Sequence, residues 1–491
     1  MTQLARKLER SAPLVTIALL VTSATAQDTI LRELPEATTP VTLAAATDPL
    51  SGKSEFRYQG SNTPPVIRIQ PGSTLQVEYK NDLATQSRET CLDHPCMNIT
   101  NLHFHGLHVS PNAPQDDAID MMAMPGETLH YSVQVPPQQP PGLYWYHTHP
   151  HGESYRQDLD GMSGAIVVEG IDRYVPEVLN MRERILVVRD LVLPDDAGER
   201  SRVMESVSMQ TTQCGTAPDV PERAFTVNGS LRPQIDIAPG ERQFWRIVNT
   251  SPDRYADLEL DSGPLEVVAL DGVPLAYHEP SIRKRSMEHV LVPPAGRVEA
   301  IVTGPSLDSH AALRSNCFDT GPDGDSNPAM VLADIVSAKP WNSEPPRQPR
   351  RSPVHMVFSP AVLKRVEATE PKFVVNFTED KQGFYINRQK FQMTDAPMLT
   401  VRIGSLQHWR VENPTKEVHP FHIHQVHFLV YALGGKRVKY PVWLDTVNVP
   451  YGGSVDLVMD FTDPIIRGMS LFHCHLLNHE DKGMMAKILF R

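Results

Sequence analysis

Near the end of the chain, LFHCHLLNHEDKGMM runs from Leu471 to Met485. His473, Cys474, His475, His479 and Met484 fall within twelve residues there. Successive side chains of a β-strand point to opposite faces. On a strand, His473 and His475 would face one side and Cys474 the other. One thiolate could then serve a metal site on its own face and adjoin a second site across the strand. Two histidines, a cysteine and a weak, long methionine form the ligand set of a blue-copper electron-transfer site. Cys474, His479 and Met484 supply three of those four ligands.

Three further motifs supply histidines in the same spacing. HFHGLH holds His103 and His105, WYHTHPHG holds His147 and His149, and HPFHIH holds His419, His422 and His424. A single His-x-His pair on a strand is most often structural. Four such pairs in a chain of 20 histidines are more than scatter would give, and they point to metal chemistry. Their eight imidazoles suit a cluster of three coppers, because neutral imidazole binds Cu(I) and Cu(II) without a large change of charge.

The elements that must position these residues read as β-strands. Short alternating runs such as Ala165 to Val168 and Val290 to Val292 are bounded by Pro, Gly and Asp, and no long helical period competes. The 44 prolines favour loop-rich β domains. A weak internal repeat sets the organisation. IRIQPGSTLQVEYKN begins at Ile67, IDIAPGERQFWRIVN at Ile235 and LTVRIGSLQHWRVEN at Leu399, at offsets of 168 and 164 residues. Each is a strand, a Gly turn, a second strand and a closing Asn. The offsets are too long for a solenoid and imply three related domains. A fainter echo pairs FTVNGS at Phe225 with FYINRQ at Phe384. The expected divisions are 27–170, 171–337 and 354–491, with a Pro- and Arg-rich linker at 338–353. Residues 27 to about 50, polar and Thr-rich, are expected to cover the surface.

Residues 1–26 read as a secretory signal: basic Arg6, Lys7 and Arg10, a short apolar run from Leu14 to Val21, and Ala24-Thr25-Ala26 for cleavage. That implies an exported protein, periplasmic or extracellular, with no membrane insertion of the mature chain. Its loss would take the net charge from −12 to about −14, since three positive charges and one negative go with it. Such a balance excludes nucleic acid as the main partner and mildly favours cationic ligands. The oligomeric state stays open, with a monomer the favoured expectation. With Cys474 taken as a ligand, four cysteines remain for an oxidising compartment. Of three possible pairings, Cys91–Cys96 and Cys214–Cys317 are expected.

Together these motifs resemble those of the three-domain, laccase-like multicopper oxidases of bacterial type, over nearly the whole mature chain. The resemblance implies an all-β protein of three cupredoxin-like Greek-key β-sandwich domains in tandem. It implies about four coppers per chain: one type 1, one type 2 and a type 3 pair. His419, Cys474 and His479 match the type 1 ligands, with Met484 axial. His103 and His422 match the type 2 ligands. His105, His147 and His475 match one type 3 set, and His149, His424 and His473 the other. The middle domain, lacking His-x-His, is expected to be a metal-free spacer. The implied reaction is one-electron oxidation of a small molecule or metal ion coupled to reduction of O₂ to water. Asp116, eleven residues after His105, and Glu480, directly after His479, match acids that supply protons in relatives.

The reducing substrate is less legible. Phenols and aromatic amines are the first expectation, and Cu(I), Fe(II) or Mn(II) the alternative. The long Met-rich insert of bacterial cuprous oxidases is absent between Val354 and Ser470. Met121, Met122 and Met124 read as ordinary packing. His108, His151 and His427 lie beside the motifs but match no ligand position. No partner is evident for His94, His130, His355 or His408.

Overall fold

The computed structural model describes residues 30–85, 98–210, 213–217, 221–306, 310–339 and 358–491. The expected signal segment, the Cys91–Cys96 pair, His94, His355 and nearly all of the linker lie outside them.

Each repeat folds as two sheets packed face to face. In the first unit, one sheet orders Glu36–Thr38, Val66–Ile69, Ser163–Val168, Gly142–His147 and His103–His105. Its partner sheet orders Ser54–Arg57, Val41–Thr47, Thr74–Asp82 and Thr128–Gln134. The middle unit runs from Arg182–Val192 to Met330–Ser337, and the third from Phe373–Asp380 to Met485–Phe490. Strand orders are non-sequential, as Greek-key connections require, and the sheets mix parallel with antiparallel pairs. Each sandwich encloses its own core, around Tyr79 and Tyr146, Trp245, or Trp409 and Phe472.

The repeat has a physical cause. Asn81, Asn249 and Asn413 are fully buried. Each side-chain oxygen accepts from the backbone N–H two residues on: Leu83, Ser251 and Thr415, all at 3.1 Å. Each amide donates to two carbonyls, for example those of Arg254 and Val292. The asparagine thus pins the crossing after the strand, and its loss would orphan several buried groups. Trp245 and Trp409 each donate to the glutamine two residues earlier, Gln243 and Gln407, at 3.1 Å. The fainter echo is a tight turn with left-handed Asn228 and Asn387.

One expectation fails. Residues 27 to about 50 do not merely cover the surface. Val41–Thr47 is an inner strand between Ser54–Arg57 and Thr74–Asp82, with Val41, Leu43 and Ala45 in the core. Alanine and threonine blur its two-residue period, so its inward face was not legible. Cys214 and Cys317 are disulfide-bonded, with Cα atoms 5.6 Å apart. No helix among the described residues is long and apolar enough to cross a membrane.

The first and third units meet directly. Asp481, in the short helix Leu477–Asp481, accepts from the backbone N–H groups of Gly152, at 2.7 Å, and Tyr155, at 2.9 Å. These cap the chain entering the helix Ser154–Leu159. The His-x-His strands of both units converge at this junction.

Candidate metal centre

Four strands or strand ends carry the histidines. His103–His105 pairs with Gly142–His147, placing His103 opposite His147. His419–Ile423 pairs with Gly468–Cys474, placing His422 opposite His473 and Phe421 opposite Cys474. This register sets the histidines on one face and Cys474 on the other, as strand alternation demands.

Eight imidazoles meet between the two units: His103, His105, His147, His149, His422, His424, His473 and His475. All are at most 1% exposed. Rings from the first unit stack on rings from the third, His103 on His424 at 3.8 Å and His105 on His422 at 3.9 Å. The triad His105, His147 and His475 has ring separations of 5.1 to 5.9 Å. The triad His149, His424 and His473 has separations of 4.8 to 5.3 Å. His103 and His422 are 6.1 Å apart.

Hydrogen bonds on the outer side fix several tautomers. Nδ1–H donates to Asp116 Oδ1 from His103 at 3.0 Å and to the Thr148 carbonyl from His147 at 3.0 Å. It donates to the Asp445 carbonyl from His422 at 2.7 Å and to the Cys474 carbonyl from His473 at 2.9 Å. Nε2 then carries a lone pair facing inward. The Nε2 atoms of His103, His105, His147, His422 and His475 are buried with no hydrogen-bond partner. Leaving such groups unsatisfied costs on the order of 1–3 kcal/mol each. Nε2 of His473 faces those of His149 and His424 at 3.4 and 3.3 Å. A shared cation relieves that crowding of nitrogens, so the residues present fit a metal cluster. Burial, then mutual repulsion, drives the pKa values of His105, His147 and His424 well below the usual 6.5. The rings are therefore neutral, the form that binds metal.

Across the strand lies a second constellation. Cys474 is the free, buried cysteine of the described residues. Its Sγ is 3.4 Å from His419 Nδ1 and 4.0 Å from His479 Nδ1, and those two nitrogens are 3.3 Å apart. The Leu476 N–H points at the sulfur at 3.5 Å. Burial pushes the thiol pKa up, so a cation is needed to hold it as thiolate. Met484 is fully buried in the same core cluster, and its backbone N–H and C=O bond His479 and Cys474. The outward Nε2 of His479 lies 3.3 Å from Glu417, and that of His419 lies 3.0 Å from Thr415 Oγ1 and 3.8 Å from Glu379. Phe384 stacks on His479 at 3.8 Å. A cavity of about 540 Å³ opens there, lined by Asp323, Glu379, Asp380, Phe384, Lys416 and Glu417 among others.

The two acids expected from sequence sit at the cluster. Asp116 contacts His103, accepts from the Phe104 N–H at 2.9 Å and from Gln425 Nε2 at 2.8 Å. Glu480, fully buried, lies 3.1 Å from His473 Nδ1 and 3.6 Å from His149 Nδ1. Burial, reinforced by Asp481, pushes its carboxyl well above the usual range. Sequence reasoning missed Gln425, Glu417, Glu379, Asp445 and Arg297, none of which carries a spacing signal. Asp445 abuts His105 and His422 and pairs with the buried Arg297 of the middle unit. The middle unit is thus more than a spacer, because its own side chain reaches the centre. The flanking histidines mostly find partners: His108 with Asp463, His427 with Asp271, His151 with Phe391 and His408 with Asp456. His130 stays exposed opposite Glu78. Met121 packs on the first core, and Met124 is exposed.

Residues 45–172 and 360–491 each match a family model described as multicopper oxidase, together more than half of the chain. The multicopper oxidase of Staphylococcus aureus is 22% identical over 89% of this chain and 86% of its own length. A laccase of Bacillus subtilis is 24% identical over 73% and 72%. Among solved structures, a multicopper oxidase of Campylobacter jejuni, described as a metallo-oxidase, has a TM-score of 0.70 at 24% identity, covering 94% of this chain and 95% of that one. The laccase-like CueO of Ochrobactrum gives 0.69 at 22%, covering 94% and 100%. These structural likenesses are of fold, three cupredoxin-like sandwiches. The chain belongs to the multicopper oxidase family, copper-dependent oxidoreductases that use O₂ and a reducing substrate.

Proposed function

We propose that this chain is a laccase-like oxidase in which His419, Cys474, His479 and Met484 would hold the copper that takes single electrons from a reducing substrate. The eight-imidazole centre would hold the coppers that pass them to O₂. The observation that carries the reading is the set of five orphaned, inward Nε2 atoms directly across one strand from a buried free thiol. About four coppers bound at these two places would supply one-electron acceptance and the four-electron reduction of O₂ to water. His103 and His422 would hold the type 2 ion. His105, His147 and His475 would hold one type 3 ion, and His149, His424 and His473 the other.

The chain's own residues do the rest. Cys474 is bonded through backbone to His473 and His475, a short route between the two places. Glu480 sets a carboxyl oxygen 3.1 Å from His473 Nδ1, and Asp116 orients His103. Both are placed for proton supply. The protein is exported to the periplasm or beyond, if residues 1–26 act as their composition suggests.

Phenols and aromatic amines are the first donors proposed. A second reading, oxidation of Cu(I), Fe(II) or Mn(II), is favoured by the carboxylates of Glu417 and Glu379 over the outward nitrogens of His479 and His419. Oxygen uptake by the copper-loaded protein with Cu(I), Fe(II) and a methoxyphenol decides between them. Uptake with the phenol, unchanged in Glu417→Gln, supports the first reading. Uptake with metal ions alone, with KM raised in Glu417→Gln, supports the second. No uptake with any donor sinks the oxidase reading.

A further inference from the structure

Behind the histidine centre, where the three units meet, sits a cation outside the copper motifs. Arg297 begins the middle-unit strand Arg297–Thr303, and its side chain is fully buried. Its guanidinium donates to both carboxylate oxygens of Asp445 in the third unit, Nη1 to Oδ1 at 2.8 Å and Nη2 to Oδ2 at 2.5 Å. Its Nε donates to the Leu143 carbonyl of the first unit at 3.3 Å. Nη1 stands 3.4 Å from His105 Nδ1, and Asp445 presents its own carbonyl to His422 Nδ1–H at 2.7 Å. One guanidinium therefore ties all three units together while touching one candidate copper ligand and the residue that orients another.

Asp271 secures the arrangement from the middle unit. Its Oδ1 accepts the Arg297 backbone N–H at 2.9 Å, and its Oδ2 accepts those of Asp445 and Thr446 at 3.2 and 3.3 Å. The first unit leaves room for the pair at Gly106, directly after His105. Its φ is +84°, and a Cβ there would lie 2.4 Å from Asp445 Oδ2 and 2.5 Å from Arg297 Nη2. A planar two-pronged fork fixes orientation in a way that lysine's single ammonium cannot. Docking the units does not require it to touch the histidines. Arg246, buried in the same junction, pairs with Glu183 and Glu299, and Glu299 takes the Leu143 N–H at 2.9 Å.

We infer that Arg297 is a positioning residue for the three-copper centre: by clamping Asp445 it sets where His422 and His105 present their Nε2 atoms, so the middle unit takes part in holding copper there. This rests on the reading that the eight imidazoles bind copper.

The test uses the full-length, copper-loaded protein as Arg297→Met, Arg297→Lys and Arg246→Met. It reads copper per chain, the blue band of the Cys474 thiolate and the electron paramagnetic resonance signal of the non-blue copper. Arg297→Met is expected to keep the blue band while affinity for the non-blue copper falls about 10- to 100-fold, the range seen when a group orienting a metal ligand is lost. Arg297→Lys should fall between, and Arg246→Met should match the parent. Parental copper content and an unaltered non-blue signal in Arg297→Met would overturn the inference. So would an equal loss in Arg246→Met, which would make the effect one of general docking. If Arg297→Met shows no blue band and does not fold, Gly106→Ala carries the test, because its methyl displaces the pair without removing charge. A parental spectrum there overturns the inference. A parent protein that binds the blue copper alone sinks the three-copper reading itself, and this inference with it.

Discussion

At the scale of single residues, the two buried acids proposed for proton supply sit in different settings. Burial, reinforced by Asp481, pushes the Glu480 carboxyl up, whereas Asp116 is hydrogen-bonded to Gln425 and His103. Glu480→Gln keeps the shape and removes the exchangeable acid. Turnover with O₂ is expected to fall by about 10²-fold, the lower end for loss of a general acid. Anaerobic bleaching of the blue band by the donor should be unchanged, since Cys474 and its histidines are untouched. Rapid mixing of the reduced protein with O₂ checks this; reoxidation at the parental rate would remove Glu480 from proton supply. The candidate ligands were legible because metal chemistry restricts residue type and because strand alternation restricts spacing. Glu417, Gln425 and Asp445 were not, since a glutamate or glutamine in a loop looks the same whether or not a histidine from another unit comes to rest beside it.

At the scale of elements, the helix Ser154–Leu159 packs against Leu477–Asp481 and carries Asp158 into a dry setting. Both Asp158 carboxylate oxygens are buried without a hydrogen-bond partner, and burial pushes its pKa up to about 8. Unfolded, the group returns to about 3.9. Between those values the unfolded state binds fewer protons than the folded one, so stability is highest below about pH 4 for this group. It is lost as pH rises toward 8. Asp158→Asn should flatten the decline of the urea midpoint between pH 5 and pH 8, by up to about 1.4 kcal/mol per pH unit. A slope equal to the parent's would show that Asp158 does not titrate in this window. Strands with clear alternation were readable as such. Val41–Thr47 was not, because alanine and threonine give too little contrast between its two faces.

At the scale of the whole molecule, the proposed copper cluster and domain docking would share one free energy. The eight imidazoles come from two units, so a cluster bound there would cross-link them, and its removal would leave buried lone pairs facing one another. Loading the apoprotein with copper should raise its thermal midpoint, with a gain of about 4 kcal/mol once free metal exceeds the dissociation constant a thousandfold. Chelation should reverse it. Calorimetry of apo and loaded protein checks this, and equal midpoints would mean that the histidines are not joined by metal in the folded state.

The all-β class, the threefold repeat and the residues able to bind copper were legible in the chain alone, because each is written in local terms: two-residue periodicity, a recurring strand–turn–strand–Asn unit and His-x-His spacing. Which histidines face one another, and what stands behind them, came from the way the chain packs. Arg297 lies 192 residues from His105 and 148 from Asp445. Their contact follows from how three sandwiches dock, and docking depends on surfaces built from many distant segments at once. No local pattern in the chain records such a surface.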